Sequence, residues 1–279
     1  MDITPTRSGK KLYVTTSIGL NGPGAVFSVN PVTKSITQIY SKVSDVYIRP
    51  DGVPLIIAST PYDTMRQVGV IDTMTDAVTF FDTLGIMDRG YNYEAVAFAP
   101  NSPVLYTWTN QGWLFAYNYS EKRIERYFRN AAAQKMVISP DGKFLYCSRG
   151  TVVDIDHDSC IAYIGGGSSP GSLALSPDGQ TLFITDPGSF NIEVVPSGKI
   201  FKFRTTPFAG IGFIDMSAAT GIYWMITDCM RILPEGKRAF VSDGFATIFE
   251  INIGTNKITN MIQFVPYNME LRSLAYALR

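Results

Sequence analysis

A six-bladed β-propeller, all-β and closed into a ring by its own two ends, is the fold this sequence predicts, and three observations predict it. One phrase recurs along the chain: an apolar strand, a Pro-Asp-Gly-like turn, then an aromatic and β-branched strand. A second phrase, a strand end followed by an Asx-type turn and a new strand, trails each copy at a regular offset. Together the two phrases make units of four short antiparallel strands at about the spacing of propeller blades.

The first phrase is plainest in SPDGKFLYCS, Ser139 to Ser148, which returns as SPDGQTLFIT, Ser176 to Thr185. In chain order its copies are VYIRPDGVPLIIAS, VAFAPNSPVLYTW, MVISPDGKFLYCS, LALSPDGQTLFIT and MRILPEGKRAFVS, with turn prolines at Pro50, Pro100, Pro140, Pro177 and Pro234. RSGKKLYVTT at the N-terminus has the turn and the second strand but no strand before it. LRSLAYALR at the C-terminus aligns with the first strand of the other copies. The expectation is therefore that this C-terminal strand joins the N-terminal blade and closes the ring, removing edges that invite aggregation.

The second phrase reads SVNPVTKSITQI, VIDTMTDAVTFF, AYNYSEKRIERY, DIDHDSCIAYI, VVPSGKIFKF and INIGTNKITNMI. Asn and Asp suit it because their side chains bond the backbone two residues on and stabilise the reversal. Six heads and six tails give six blades in a single domain over 1–279. The intervals Pro50 to Pro100 and Pro177 to Pro234 are long, so extra residues sit in blades two and five, and seven blades is the alternative.

Through SPDGKFLY, SPDGQTLF, LYVTT and VIDTMTDAV the chain resembles the YVTN-type β-propeller repeat family, over essentially its whole length. The resemblance implies the fold and says little of activity. Propellers of this type are found in surface proteins, in lactonase-like and lyase-like enzymes and in subunits of amine dehydrogenases, often with seven blades.

Charge narrows the partners. With 24 basic and 24 acidic residues the formal net charge is zero, which gives no electrostatic case for nucleic acid or an anionic membrane surface. A small molecule or a protein is the expected partner. Three cysteines, Cys147, Cys160 and Cys229, cannot all pair within the chain, and their sparse use fits a reducing compartment. MDITPTRSGKKLYVTTS has no apolar core of signal-peptide length, so a cytoplasmic location is expected. The most apolar run, Phe208 to Ile226, holds Asp215 and three glycines and reads as a connection rather than a membrane span.

In a propeller the first strand of each blade, strand A, lines the central channel, with B, C and D following outward. The A–B and C–D turns then share one face and the B–C and D–A loops share the other, where ligand sites tend to lie. Where strand A begins, the aligned columns turn polar: Asp45, Ala95, Lys135, Ser172, Cys229 and Ser273, preceded by Ser44, Glu94, Gln134, Gly171, Asp228 and Arg272. Asp45, Glu94, Lys135, Asp228 and Arg272 are the candidate acid/base groups of a channel mouth. The same charges could merely solvate a wet channel. Tyr62, Tyr93, Trp108, Trp113, Tyr223 and Trp224, with Cys229, are the candidate ligand-binding residues, joined in the loops by Tyr91, Phe190, Phe208, Phe213 and Phe245. The segment Thr206 to Thr227 is read as the connection from blade five to blade six, long enough to fold over the mouth as a lid.

Other motifs carry less. GSSPG, Gly167 to Gly171, has the nucleophile pattern of a serine hydrolase but enters a strand, and the one histidine, His157, falls in a turn on the opposite face. DIDHD, Asp154 to Asp158, lacks the glycine and distal acid of a calcium loop and reads as an Asx turn. No metal site and no cofactor is expected. Cys147 reads as core, and Asn118-Tyr119-Ser120 is a sequon with meaning only in a secreted protein. The function expected is binding of a small aromatic, apolar or sugar-like molecule at the mouth, with acid/base chemistry such as cyclisation, isomerisation, elimination or lactone hydrolysis needing no redox cofactor. The alternative is a noncatalytic module that presents aromatic loops to a protein.

Overall fold

The computed structural model describes residues 2–6, 8–16, 25–41, 43–58, 66–84, 93–109, 113–128, 133, 135–148, 150–163, 172–185, 198–220, 229–242 and 247–263. Among the described residues twenty-four strands form six four-stranded antiparallel sheets, the blades of a β-propeller. The chain divides into two compact units, one running to Asn92 and the other starting at Tyr93.

The first unit holds two blades. Blade one comprises β1 (Asp2–Pro5), β2 (Leu12–Thr16), β3 (Ala25–Val29) and β4 (Ile36–Ser41), and blade two β5 (Val43–Ile48), β6 (Pro54–Ala58), β7 (Arg66–Ile71) and β8 (Val78–Leu84). One expectation is corrected here. The place beside β2 that the sequence assigned to LRSLAYALR is filled by Asp2–Pro5, which pairs with β2 from Asp2↔Thr15 to Pro5↔Leu12. Four residues of no marked hydrophobic period suffice, because an antiparallel partner one tight turn away closes with little loss of chain freedom. The segment LRSLAYALR lies outside the described residues.

The second unit holds four blades. Blade three comprises β9 (Tyr93–Phe98), β10 (Val104–Thr109), β11 (Leu114–Asn118) and β12 (Arg123–Phe128). Blade four comprises β13 (Met136–Ile138), β14 (Phe144–Cys147), β15 (Thr151–Asp154) and β16 (Ser159–Tyr163). Blade five comprises β17 (Leu173–Leu175), β18 (Thr181–Thr185), β19 (Lys199–Thr205) and β20 (Phe208–Asp215), followed by the short helix α1 (Met216–Thr220). Blade six comprises β21 (Cys229–Ile232), β22 (Arg238–Ser242), β23 (Thr247–Asn252) and β24 (Lys257–Gln263).

Blade five corrects a second expectation. KIFKFRT is its third strand and FAGIGFID its outer strand, joined at Thr206-Pro207, so the C–D turn is not at PSG and the apolar run is not a lid-like connection. The run was misread because hydropathy alone does not separate an edge strand from a buried loop. Pairing with β19 from Phe208 to Asp215 gives its backbone groups partners, which a loop of that polarity would lack.

Alternation along the middle strands builds the core between blades. On β14, Leu145 and Cys147 join the cluster shared with blade three, which includes Trp108, Leu114 and Met136. Tyr146, between them in sequence, points the other way into a cluster with Leu173, Leu182 and Ile184 of blade five. The period of two thus makes each blade a double-faced wedge. In the first unit Val46, Ile56 and Ile71 pack on Tyr13 and Val26. There Asp76 also joins the two blades, accepting hydrogen bonds from Lys11 Nζ at 2.8 Å and Tyr13 Oη at 3.3 Å. Burial first, and the Asp76 charge second, push the Tyr13 hydroxyl well above the usual phenol range.

Each outer strand carries one bulge. The register slips once in every C–D pair, at Ile39, Phe81, Glu125, Ile161, Ile211 and Thr259. A bulge twists the exposed edge and disrupts it as a template for another chain.

Candidate functional site

The repeated phrases form two sets of turns. In the A–B turns the glycine N–H donates to the carbonyl three residues back, as from Gly142 to Ser139 at 2.9 Å and Gly179 to Ser176 at 2.8 Å. These glycines sit at φ 77° and 71°, where a side chain would be strained. They also touch the neighbouring blade. A β-carbon on Gly179 would lie 2.7 Å from Cδ of Pro140, while one on Gly142 would lie 3.4 Å from Pro100 and one on Gly236 3.4 Å from Pro177. The proline and the glycine of the phrase thus serve one contact, repeated from blade to blade in the second unit.

In the C–D turns Asn30, Asp72, Asn118, Asp154 and Asn252 accept backbone hydrogen bonds two or three residues on, and the fifth residue of each turn, Lys34, Asp76, Lys122, Asp158 or Asn256, has positive φ. DIDHD is such a turn. Asp154 accepts from the His157 N–H at 3.0 Å, and His157 Nδ1 lies 3.0 Å from its other oxygen. These bonds hold the Asp154 carboxyl below its usual value. Asn118 accepts from Ser120 and Glu121 and donates to Glu125 at 2.8 Å, so its amide is committed to the turn. Among the described residues no group of three His, Cys, Asp or Glu is placed to hold a metal.

The predicted mouth residues are located unevenly. Asp45 lies on β5 opposite Ile57, and Tyr93, on β9 beside Glu94, lies opposite Thr109; Cys229 begins β21 opposite Ser242. The side chains of these four, and all of Tyr62, Tyr223, Trp224, Asp228 and Arg272, lie outside the described residues, as do Tyr91, Phe190, Phe245 and GSSPG. Lys135 precedes β13 and is half-buried; its N–H donates to Ser148 Oγ at 2.9 Å and its carbonyl accepts from the Ser148 N–H at 2.9 Å. Ser172 repeats that latch one blade on, its N–H donating to Thr185 Oγ1 at 2.6 Å.

Three aromatic assignments change. Trp108 is 3% exposed and belongs to the core between blades three and four, because its position on β10 faces Met136 and Leu145 rather than the loop beyond it. Phe208 and Phe213 are on β20, not in a loop; Phe208 stacks on Phe203 at 5.4 Å and Phe213 lies under Lys199 Nζ at 4.6 Å. Trp113 keeps a loop position just before β11, half-exposed, with its ring edge-on to Tyr127 at 6.1 Å. Cys147 is buried as expected, and burial pushes its thiol up to about 12.

A feature the sequence reading missed lies on the turn face. Between blades four and five a groove of about 500 Å³ is lined by the Pro140 and Gly179 turns and by the β19–β20 turn. Tyr146 and Phe144 face it, with Asp141 and Asp178 on the two A–B turns and Arg204 at the end of β19. Ser139 and Ser176 donate to Asp141 at 2.5 Å and Asp178 at 2.6 Å, and these bonds are the main cause holding both carboxyls below their usual value. The available sequence signal was the run of two successive Ser-Pro-Asp-Gly copies, which only adjacent blades can bring together.

No family model and no curated protein matches this chain. Solved structures do. The chain is similar to Kuenenia stuttgartiensis hydrazine synthase, with a TM-score of 0.67 at 16% identity over 90% of this chain and 76% of that one. It is also similar to a chain in the crystal structure of a mitotic checkpoint complex, with a TM-score of 0.72 at 11% identity over 98% of this chain and 81% of the other. At such identities the likeness is one of fold.

Proposed function

We propose that this propeller, a YVTN-type repeat protein by its turn phrases, binds a small organic molecule at the loop end of its inner strands. One observation carries the reading. In the second unit β9, β13, β17 and β21 touch in chain order, so the residues where they begin, Glu94, Lys135, Ser172 and Cys229, share one end. Lys135 is half-buried there, and no carboxylate among the described residues forms an ion pair with its ammonium. A partly desolvated cation at the end of the inner strands suits an anionic or carbonyl-bearing ligand. Glu94, Asp228 and Arg272 are the groups proposed for acid/base chemistry, and Trp113 is the aromatic surface proposed beside them.

Thermal-shift screening against a metabolite pool, repeated on Lys135→Met and Glu94→Gln, tests this. A ligand at a hundred times its Kd adds about 2.7 kcal/mol of stability. The expected result is a class of compounds that stabilises the wild type and loses its effect in both variants. If no compound stabilises the wild type, the reading fails.

A second reading, docking of a protein, is favoured by Val32 and Met74. They hold the same place in the C–D turns of the first unit and are 84% and 88% exposed, where Ser120, Asp156 and Gly254 stand in the second. Exposed apolar tips at repeated positions are suited to a partner surface. Loss of a co-purifying partner from Val32→Ser/Met74→Ser, with an unchanged thermal midpoint, is the outcome this reading requires.

A further inference from the structure

The groove between blades four and five joins three features that no part of the proposed mouth explains. The packing beneath it is aromatic: Tyr146 is 1% exposed, and its ring stacks on Phe208 at 6.4 Å with 25° between planes, Phe208 in turn lying on Phe203 at 8°. Its rim carries both signs of charge. Asp141 and Asp178 each use one carboxylate oxygen within their own turn, from the serine hydroxyl and the N–H of Lys143 or Gln180. Beyond these, the further hydrogen-bond partner of each carboxylate among the described residues is its own backbone N–H. Arg204 donates from Nε to the Pro207 carbonyl at 3.3 Å, which leaves its two terminal nitrogens available.

Opposite charges that line one groove would ordinarily pair. Here Arg204 makes no ion pair with Asp141 or Asp178 among the described residues, so the guanidinium and the carboxylates stand apart across the opening. Each side chain is held by a hydrogen bond within its own turn. Such a frame is complementary to a molecule that carries both charges, a cation against the carboxylates and an anion in reach of the guanidinium fork. Phe144 and the Pro140 ring, which line the groove with exposed surface, take the apolar body between them. A volume of about 500 Å³ admits a ligand of a dipeptide's size.

We propose that this groove is a binding site for a small zwitterion of the amino-acid or dipeptide type, its ammonium held by Asp178 and Asp141 and its carboxylate by Arg204. The site is independent of the mouth, since the A–B and C–D turns lie at the opposite end of the strands from the B–C and D–A loops. Asp178 is the stronger cation partner, because Lys143 offsets part of the charge on Asp141.

The test is a titration of the full-length protein with twenty dipeptides Xaa-Gly, each with free termini, read by isothermal titration calorimetry. At least one is expected to saturate below about 1 mM, a modest affinity for so small a molecule. N-acetylation and C-amidation of that dipeptide should each weaken binding at least about tenfold, the size of one charge-assisted contact. The acetylation penalty should vanish in Asp178→Asn and the amidation penalty in Arg204→Gln. Asparagine keeps the turn's acceptor, and a thermal midpoint confirms folding; Asp141→Asn serves in its place if Asp178→Asn is unstable. Binding that survives amidation would overturn the zwitterion in favour of a peptide N-terminus. Saturation by none of the twenty, or penalties that persist in both variants, would overturn the site.

Discussion

Gly179→Ala tests whether the Pro-Asp-Gly phrase acts across blades or only within its own turn. At φ 71° an L-residue is in the left-handed region, at a cost of about 1–2 kcal/mol. The new methyl would also stand 2.7 Å from Pro140 Cδ and 3.0 Å from Cγ, against a ring that cannot rotate away. Overpacking of that kind costs about 1–3 kcal/mol, and the stiffer unfolded chain returns only about 0.4–1 kcal/mol. A net loss of roughly 2–4 kcal/mol follows, which for a chain of this size lowers the thermal midpoint by roughly 3–7 °C. Gly142→Ala is the internal comparison. Its φ of 77° is the same in kind, but its nearest neighbour, Pro100 Cδ, is at 3.4 Å, so only the backbone strain remains. Urea unfolding of both variants at matched m-values measures the gap, expected at about 1–3 kcal/mol. The double variant Pro140→Ala/Gly179→Ala should recover about 1 kcal/mol or more of coupling, as residues in direct contact do. Equal losses at the two glycines, or no coupling to Pro140, would refute the cross-blade contact.

Other outcomes follow from the same structure. Cys160 is exposed whereas Cys147 is buried with its thiol pushed up to about 12, so a thiol reagent at neutral pH should label Cys160 in the native protein and Cys147 only on unfolding. Peptide mass spectrometry reads this; native labelling of Cys147 would contradict its place in the core. The Asp178 carboxyl is depressed below 3.8 chiefly by the Ser176 hydroxyl, so its contribution to stability is present above 3.8 and lost as pH falls through the folded-state value. Ser176→Ala should move the carboxyl resonance of Asp178 up toward 3.8 in an NMR titration, and an unmoved midpoint would remove the hydroxyl as the cause. Asn118→Ala leaves two turn N–H groups and Glu125 without the buried amide, and should cost about 1–3 kcal/mol in chemical unfolding.

What could be read from the residues depended on how local the cause was. The turn phrases were legible because Pro, Gly, Asn and Asp act on their own backbone: five Asx turns and five glycines of positive φ stand where the two phrases placed them. Asp2–Pro5 was not legible, since a four-residue strand without a hydrophobic period is defined by the β2 edge it meets. Nor was FAGIGFID, whose hydropathy suits a lid as well as an outer strand until its partner is known. Trp108 was assigned to a loop because one residue decides the matter: Thr109 ends β10, and the tryptophan just before it turns inward.

By itself, then, the sequence determined the number of blades and the chemistry of their turns, because both repeat and both are enforced within a few residues. Tertiary structure alone decided which side chains meet. Pro140 against Gly179, and Asp141, Asp178 and Arg204 around one groove, come from blades four and five and from turns far apart in the chain. Only the wedge packing of adjacent sheets, set by which alternate residues face which neighbour, brings them to one place.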